Sequence, residues 1–303
     1  MFTNFTSLVI PTRNRFINLY STLSKLKEFK LKFAEIIVVD SSDKFTREIK
    51  KICRIFNVKL YFSRPSSALQ RNIGLSKISK KSKYIMFLDD DIIFFKNSFS
   101  NMNYAIKKYS NINSKIAGYG FNHIEINKYD YISFLKKSAI SRMLNLYSNR
   151  EGEVMKNGWH TKINNLKKDI FVDWLHTAAT IYELKKIKKT LFDESFGRYS
   201  YLEDLDFSYR VSSNFKLILV AKAKFLHPNN ISREGFYFGE LEILNRYKFV
   251  KKNNLNIKLF YLSSIIRFLI SLFGLFRFNL KSISRSAGNL IAVSKCLFFK
   301  KKI

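Results

Sequence analysis

With 303 residues, 47% of them hydrophobic, the chain can bury a core of its own, in one large domain or one domain with an appendage, and is too apolar to be disordered. Its formal net charge of +31 at pH 7 points to a polyanionic partner, although a composition rich in Lys, Asn, Ile and Phe accounts for part of the excess. The two cysteines, Cys53 and Cys296, are too far apart in sequence for metal-ligand spacing and exclude a disulfide-framed fold; they read as free thiols in a reducing compartment.

The N-terminus, MFTNFTSLVIPTRNR, has no basic leader and no long apolar run, so a cytoplasmic location is expected rather than a secretory signal. TSLVIP (6–11) is a short apolar run ended by proline and predicts a strand, followed by a helix over about 15–29. AEIIVVD (34–40) predicts a second, buried strand. DKFTREIKKICRIF (43–56) predicts an amphipathic helix with Phe45, Ile49, Ile52 and Phe56 on one face. VKLYFS (58–63) is a third strand, SSALQRNIGLSKIS (66–79) a helix opened by Ser66 or Ser67 as N-cap, and KYIMFLD (83–89) a fourth strand. This alternation predicts an α/β fold, a mostly parallel sheet with helices on both faces.

Further on, NSFSNMNYAIKKY reads as helix, IAGYGFNHIEI as strand, and the Lys- and Asn-rich stretch up to 170 as loop. IFVDWLHTAATIY predicts extended structure, YELKKIKK a helix, and EDLDFSYRVSS a helix with acids in its first turn. FKLILVAKAKFLHP is either a strand pair or one bent strand, stopped by Pro228. A helix is expected over 233–253. Residues 259–276, LFYLSSIIRFLISLFGLF, are the most apolar stretch, with Ser263, Ser264, Arg267, Ser271 and Gly274 on one helical stripe; the segment 279–299 repeats the pattern with Lys281, Arg285, Asn289 and Lys295.

Ligands of such sheets bind at the carboxyl ends of the strands. The polar groups fall there: Pro11-Thr12-Arg13-Asn14-Arg15, Asp40-Ser41-Ser42-Asp43 and Asp89-Asp90-Asp91. Three adjacent carboxylates repel one another and need neutralising. Asp89-x-Asp91 can hold a hard divalent cation through oxygen, and such an ion would bind a diphosphate as leaving group. A solvated acidic turn gives the same residues no chemistry.

In order and spacing, LVIPTRNR, IIVVDSSD, ALQRNIGL, FLDDDI and the later FDESFGRYSYLEDLDFSYRV (192–211) resemble family 2 glycosyltransferases of the GT-A fold, over about residues 6–228 with a poorly matched middle. The resemblance implies an inverting transferase with a nucleoside-diphosphate-sugar donor and a divalent cofactor, Mn2+ or Mg2+. It places Thr12 and Arg15 at the nucleotide base and diphosphate, with Pro11 turning the chain, Asp40 at the base and Arg71 on the nucleotide. Asp89 would contact the ribose or the water around the metal. Asp91 would be the metal ligand, joined by His227 of FLHP, and Asp90 would face the sugar, the ribose or only solvent. Asp204 matches the general base, with Glu203 as neighbour or understudy; ordinary helix N-terminal acids read the same way without chemistry. Trp174 and His176 lie where the family lines the acceptor site, although a core tryptophan is the competing reading. The chain carries His176-Thr177-Ala178 where relatives often have glycine, and lacks the proline often seen after the acidic triplet. No Q-x-x-R-W stretch is present, which argues against a processive synthase. His123 and His160 have no partner in this scheme and are expected to be structural or exposed.

Residues 1–232 are thus expected to form the catalytic domain, with a nucleotide-sugar half over about 1–110 and an acceptor half over 111–232. Residues 233–303 would be basic, apolar C-terminal helices. After Glu242 the sequence has no Asp or Glu, against thirteen Lys and Arg. That pattern suits an anionic membrane surface and hence a lipid-linked or cell-surface glycan acceptor. Arg267 in mid-span would cost ~2.5–3.5 kcal/mol, so a helix lying in the interface, its polar stripe reaching the headgroups, is preferred to a true span. Simple packing of these helices onto the catalytic domain is the third reading. A nucleic-acid-binding protein is the rival of another class, but the basic residues are diluted by aliphatic runs and match no such module. A sugar-nucleotide-binding protein of the same fold without transferase activity also fits. A nucleotidyltransferase would need an early glycine-rich loop, and no glycine precedes Gly74.

Overall fold

Strand β1 (Thr6–Thr12) is buried along nearly its whole length, as an apolar run covered on both faces must be. In this computed structural model, residues 1–44, 47–112, 114–125, 141–142, 147–228, 235–272 and 280–298 are described. The chain divides into two compact units, one formed by Met1–Asn127 and Ile163–Asn229, the other by Lys128–Lys162 and Asn230–Ile303.

The first unit is built on a nine-stranded sheet of order β3-β2-β1-β4-β8-β6-β9-β5, with β7 also paired to β9. Strands β2 (Glu35–Asp40), β3 (Lys59–Phe62) and β4 (Tyr84–Leu88) join β1 in a parallel half, connected by helices α1 (Phe16–Glu28), α2 (Arg47–Ile55) and α3 (Ser67–Ser76). The remainder is mixed: β8 (Ala179–Glu183) runs antiparallel between β4 and β6 (Ile116–His123), and β9 (Lys216–Leu226) is parallel to β6. Helix α4 (Ser98–Ile112) precedes β6. Leu8, Ile10, Val38, Met86 and Leu88 form the core with Leu19, Leu23 and Leu26 of α1 and Ile49 and Ile52 of α2. Phe45, expected on the α2 face, lies outside the described residues.

Helix α3 starts as predicted, with Ser66 as N-cap accepting from the Leu69 N–H at 3.3 Å. It lies against β1 so closely that a Cβ on Gly74 would come 2.3 Å from Val9 Cγ1. The Gln70 amide donates to the Thr12 and Val39 carbonyls at 2.8 and 2.7 Å, fastening the helix to two strand ends.

Several local expectations are corrected. β1 continues through Pro11 to Thr12, and the chain turns beyond it, where Asn14 has φ +55°. The stretch over 170–182 divides into β7 (Ile170–Val172) and β8 with a turn between. The helix expected at YELKKIKK is four residues long, α5 (Leu184–Ile187). Of the two readings of FKLILVAKAKFL, the single strand holds, and its pairing with β6 slips between Phe121 and Asn122. β5 (Ile93–Phe94), too short to leave a periodic signal, pairs antiparallel with the end of β9.

The second unit contains α7 (Gly235–Lys252), α8 (Ile257–Leu272) and α9 (Leu280–Phe298). A Cβ on Gly239 would meet the Arg285 carbonyl oxygen at 2.1 Å, and one on Gly288 the Phe236 carbonyl oxygen at 2.1 Å, so α7 and α9 cross at two glycines. The α8 polar stripe is turned opposite to expectation. Ser263 and Ser264 are 0% and 1% exposed, Asn157 donates to Ser263 at 2.8 Å, and Arg267 lies 4.6 Å over the Trp159 ring. Arg246 stacks on the same ring at 4.7 Å. The stripe therefore faces protein. Gly274 lies outside the described residues. Among the described residues, no helix is long and apolar enough to cross a membrane.

Candidate active site

The order of strands reverses between β1 and β4, which opens a crevice at their carboxyl ends. Two loops frame it. Arg13 donates to both Asp43 oxygens at 2.7 and 2.9 Å, and Asn14 to the same carboxylate at 2.7 Å, locking the β1 loop to the β2 loop. Asp40 is buried at the end of β2, and its Oδ1 accepts from the Ser42 N–H and hydroxyl at 3.0 and 2.6 Å. Pro11 is half-buried in β1 beside Val39.

The acid triplet follows β4. Thr12 donates to Asp90 Oδ2 at 2.5 Å, and Thr22 of α1 to the Asp90 carbonyl at 2.8 Å. Arg15 bridges two acids, reaching Asp91 Oδ2 at 2.8 Å and Asp90 Oδ1 at 3.4 Å. Burial pushes the Asp90 carboxyl up to about 7, against the Thr12 hydrogen bond. Asp91 Oδ1 meets His227 Nε2 at 2.8 Å. That meeting is made by β5: Ile93 pairs with Leu226, which carries the triplet to the residue preceding His227. Burial disfavours the His227 cation, but the Asp91 hydrogen bond and the Asp89 and Asp91 charges outweigh it and hold its pKa above the usual value.

A second cluster faces the triplet. Arg71 of α3 is buried and donates to Asp89 Oδ1 at 2.9 Å and to Glu203 Oε1. Burial works against the Arg71 charge, and Glu203, Asp89 and Asp204 outweigh it. Burial pushes the Glu203 carboxyl up to about 8 despite Arg71. Glu203 and Asp204 open helix α6 (Glu203–Ser212), preceded by Leu202 in the left-handed region at φ +73°. A bulky residue there costs on the order of 1–3 kcal/mol and recurs at functional sites. Asp204 is half-buried, its Oδ1 accepting from the Leu205 N–H at 2.8 Å.

The third wall is aromatic. Trp174 is buried and His176 half-buried on the segment between β7 and β8, and Leu175 N–H donates to Ser208 of α6 at 3.0 Å. His123, expected to be structural or exposed, is half-buried and packs beside this wall. Its ring is 6.3 Å from His176 and 6.2 Å from His227, with Phe225 stacked on it at 5.1 Å. Three of the four histidines thus converge on one strand edge. The signal for His123 was its place at the end of β6; the β6–β9 pairing that brings it to Phe225 is not visible in sequence. His160 lies in the other unit, bridged to Val154.

Among the described residues no group of three or more His, Cys, Asp or Glu is placed to hold a metal ion. Asp91 and His227 nevertheless offer one oxygen and one nitrogen 2.8 Å apart. Adjacent ligands of an octahedral ion with bonds of about 2.1 Å are spaced about 3 Å apart, so the pair would match two positions once His227 gives up its proton and the mutual hydrogen bond, leaving the rest to phosphate and water.

A parallel half-sheet whose carboxyl rim gathers an acid triplet, an imidazole and two arginines has the layout of a GT-A fold. The sequence profile described as Glycosyl transferase family 2 matches residues 7–169, and the chain belongs to that family. An uncharacterized glycosyltransferase of Rickettsia bellii (strain RML369-C) is 38% identical over 97 residues, 30% of this chain and 13% of that protein. The mannosyltransferase PcManGT from Pyrobaculum calidifontis, in complex with GDP-Man and Mn2+, superposes with TM-score 0.55 at 10% identity, over 98% of this chain and 88% of that one. S. aureus TarS 1–349 in complex with UDP-GlcNAc gives TM-score 0.52 at 15% identity, over 96% and 80%. A further TarS structure is matched over 91% of this chain but 44% of its own length, with TM-score 0.50 at 15% identity. At these identities the structures establish the shared fold.

Proposed function

We propose that the chain is an inverting glycosyltransferase that moves one sugar from a nucleoside-diphosphate donor to a lipid-linked or cell-surface glycan. The observation that carries this reading is the Asp91–His227 pair at the topological switch, with Arg15 on the same carboxylate. A bound Mn2+ or Mg2+, held by Asp91 and His227, would supply charge neutralisation to the departing diphosphate. Arg15 adds a cation beside it, and Asp40 and Thr12 bound the nucleotide side. Arg71 holds Asp89 toward the ribose, and Asp90, its carboxyl raised by burial and bonded to Thr12 and Arg15, stands beside the sugar or ribose.

In the transfer, the acceptor hydroxyl oxygen forms the new bond to the anomeric carbon as the bond to the diphosphate oxygen breaks on the opposite face. Asp204 takes the hydroxyl proton. Glu203 is already committed to Arg71, which favours Asp204 as the base. Trp174, His176 and His123 form the wall that an acceptor sugar stacks against. The acid-free C-terminal region holds the enzyme on the inner face of an anionic membrane. Isothermal titration of nucleoside diphosphates and their sugars, with and without Mn2+, tests the class: metal-dependent binding of at least one donor is expected, and none across the panel contradicts it.

A further inference from the structure

Helix α8 of the second unit is amphipathic in the inverted sense. Leu262, Ile265 and Leu269 recur at helical spacing and are 41%, 47% and 51% exposed, while Ser263 and Ser264 on the opposite side are buried. Lys258, one turn before Leu262, is exposed on the same line. The inward polar groups are accounted for: Ser263 by Asn157, Ser264 by the Phe260 carbonyl at 2.8 Å, and Arg267 by the Trp159 face. The face is thus preformed on a packed unit, so occupying it carries little ordering cost. Helix α9, bonded to α8 through Tyr261 Oη donating to the Cys296 carbonyl at 3.0 Å, carries exposed apolar residues of its own in Leu290, Ile291 and Phe298.

Charge selects the occupant. Glu240 and Glu242, the last acids in the chain, are engaged by Lys295 and Arg285 from α9. Beyond them every charged residue is a base, and Lys251, Lys252 and Lys258 of this unit are exposed, Lys258 on the apolar line itself. A second copy would set these lysines against their equals, whereas an anionic lipid surface complements them. From Leu262 to Leu269 the line is about 10 Å long at 1.5 Å per residue, too short to span and suited to lying at the headgroup boundary.

We propose that the Leu262–Ile265–Leu269 face of α8 docks flat on an anionic bilayer, with Lys258 at headgroup level. This rests on the membrane location given above, but assigns contact to the apolar line and not to the polar stripe. The test is co-sedimentation of the full chain with vesicles of phosphatidylcholine containing phosphatidylglycerol, and of phosphatidylcholine alone. The wild type is expected to partition onto the anionic vesicles, less so as salt rises. A Leu262→Ser/Ile265→Ser/Leu269→Ser variant is expected to lose at least about tenfold in partitioning. Lys258→Glu, which leaves the apolar line intact, is expected to weaken binding to the anionic vesicles alone. Wild-type binding by the triple variant, no binding by the wild type, or a wild-type dimer that the triple variant dissolves would each overturn the proposal. Donor binding measured on the same variants is expected to be unchanged, so loss of the transferase reading and loss of this one are separate results.

Discussion

Asp91 and His227 lie far apart in the sequence, yet their Oδ1 and Nε2 atoms stand 2.8 Å apart. The two-residue strand β5 makes the join by pairing Ile93 with Leu226. The acid triplet therefore reaches its imidazole through backbone pairing, and the pair is as rigid as the sheet edge that carries it. Replacing either side chain should leave the fold intact and remove the proposed cation seat. Asp91→Ala is expected to abolish the Mn2+-dependent part of donor binding, and His227→Ala to weaken it by about 10–100-fold, the size of effect seen when a metal's supporting groups are lost. Titration calorimetry at fixed donor with varied Mn2+ checks both.

Asp204→Asn should separate binding from transfer. Donor affinity is expected to stay within about twofold, while transfer falls by about 10²–10⁴, the usual contribution of a positioned base. Equal transfer by the variant in a single-turnover assay would remove Asp204 from that role. Glu203, bonded to Arg71, should not rescue it.

Glu203 makes stability depend on pH. Its carboxyl ordinarily titrates near 4.5 and is pushed up to about 8 by burial. Between those values the folded state keeps a proton that the unfolded chain has lost, so this group's contribution to stability falls as pH rises through that window and levels off above about 8. Glu203→Gln keeps an acceptor for Arg71 without titrating. Thermal denaturation is expected to show the variant gaining on the wild type from about pH 5 to about pH 8. Glu203→Ala leaves Arg71 Nη1 without that acceptor and should cost about 1–3 kcal/mol below about pH 5, a cost that shrinks as pH rises through the same window.

Gly74 sets the distance between α3 and β1. A methyl group there would sit 2.3 Å from Val9 Cγ1, so Gly74→Ala is expected to destabilise by about 1–3 kcal/mol through overpacking. The shift of α3 should also displace Arg71, which lies one turn earlier. Adding Val9→Ala is expected to recover part of the loss in chemical denaturation, giving a coupling that two unrelated sites would not show.

Much of the rim was legible because β1, β2 and β4 are apolar runs that stop at polar residues. Parallel sheets present such stops on one edge, and Thr12, Asp40 and Asp89–Asp91 follow from that rule. His123 was not legible, since it enters by the β6–β9 pairing, a non-local contact with no local pattern. Nor was the left-handed Leu202 that sets the start of α6, because leucine gives no sign of positive φ. In the C-terminal helices the periodicity was correct and its direction was not. A hydropathy pattern fixes which residues share a face, but which face is covered depended on Asn157 and Trp159, from a stretch that reads as loop.

The Asp91–His227 pair is proposed as the seat of a divalent ion for a nucleoside-diphosphate sugar. It is tested most directly by titrating wild type and Asp91→Ala with UDP- and GDP-sugars in Mn2+ and in chelator. Donor binding by the wild type is expected, lost in chelator and lost in Asp91→Ala even with Mn2+. Donor binding of equal strength in all of these conditions would contradict it.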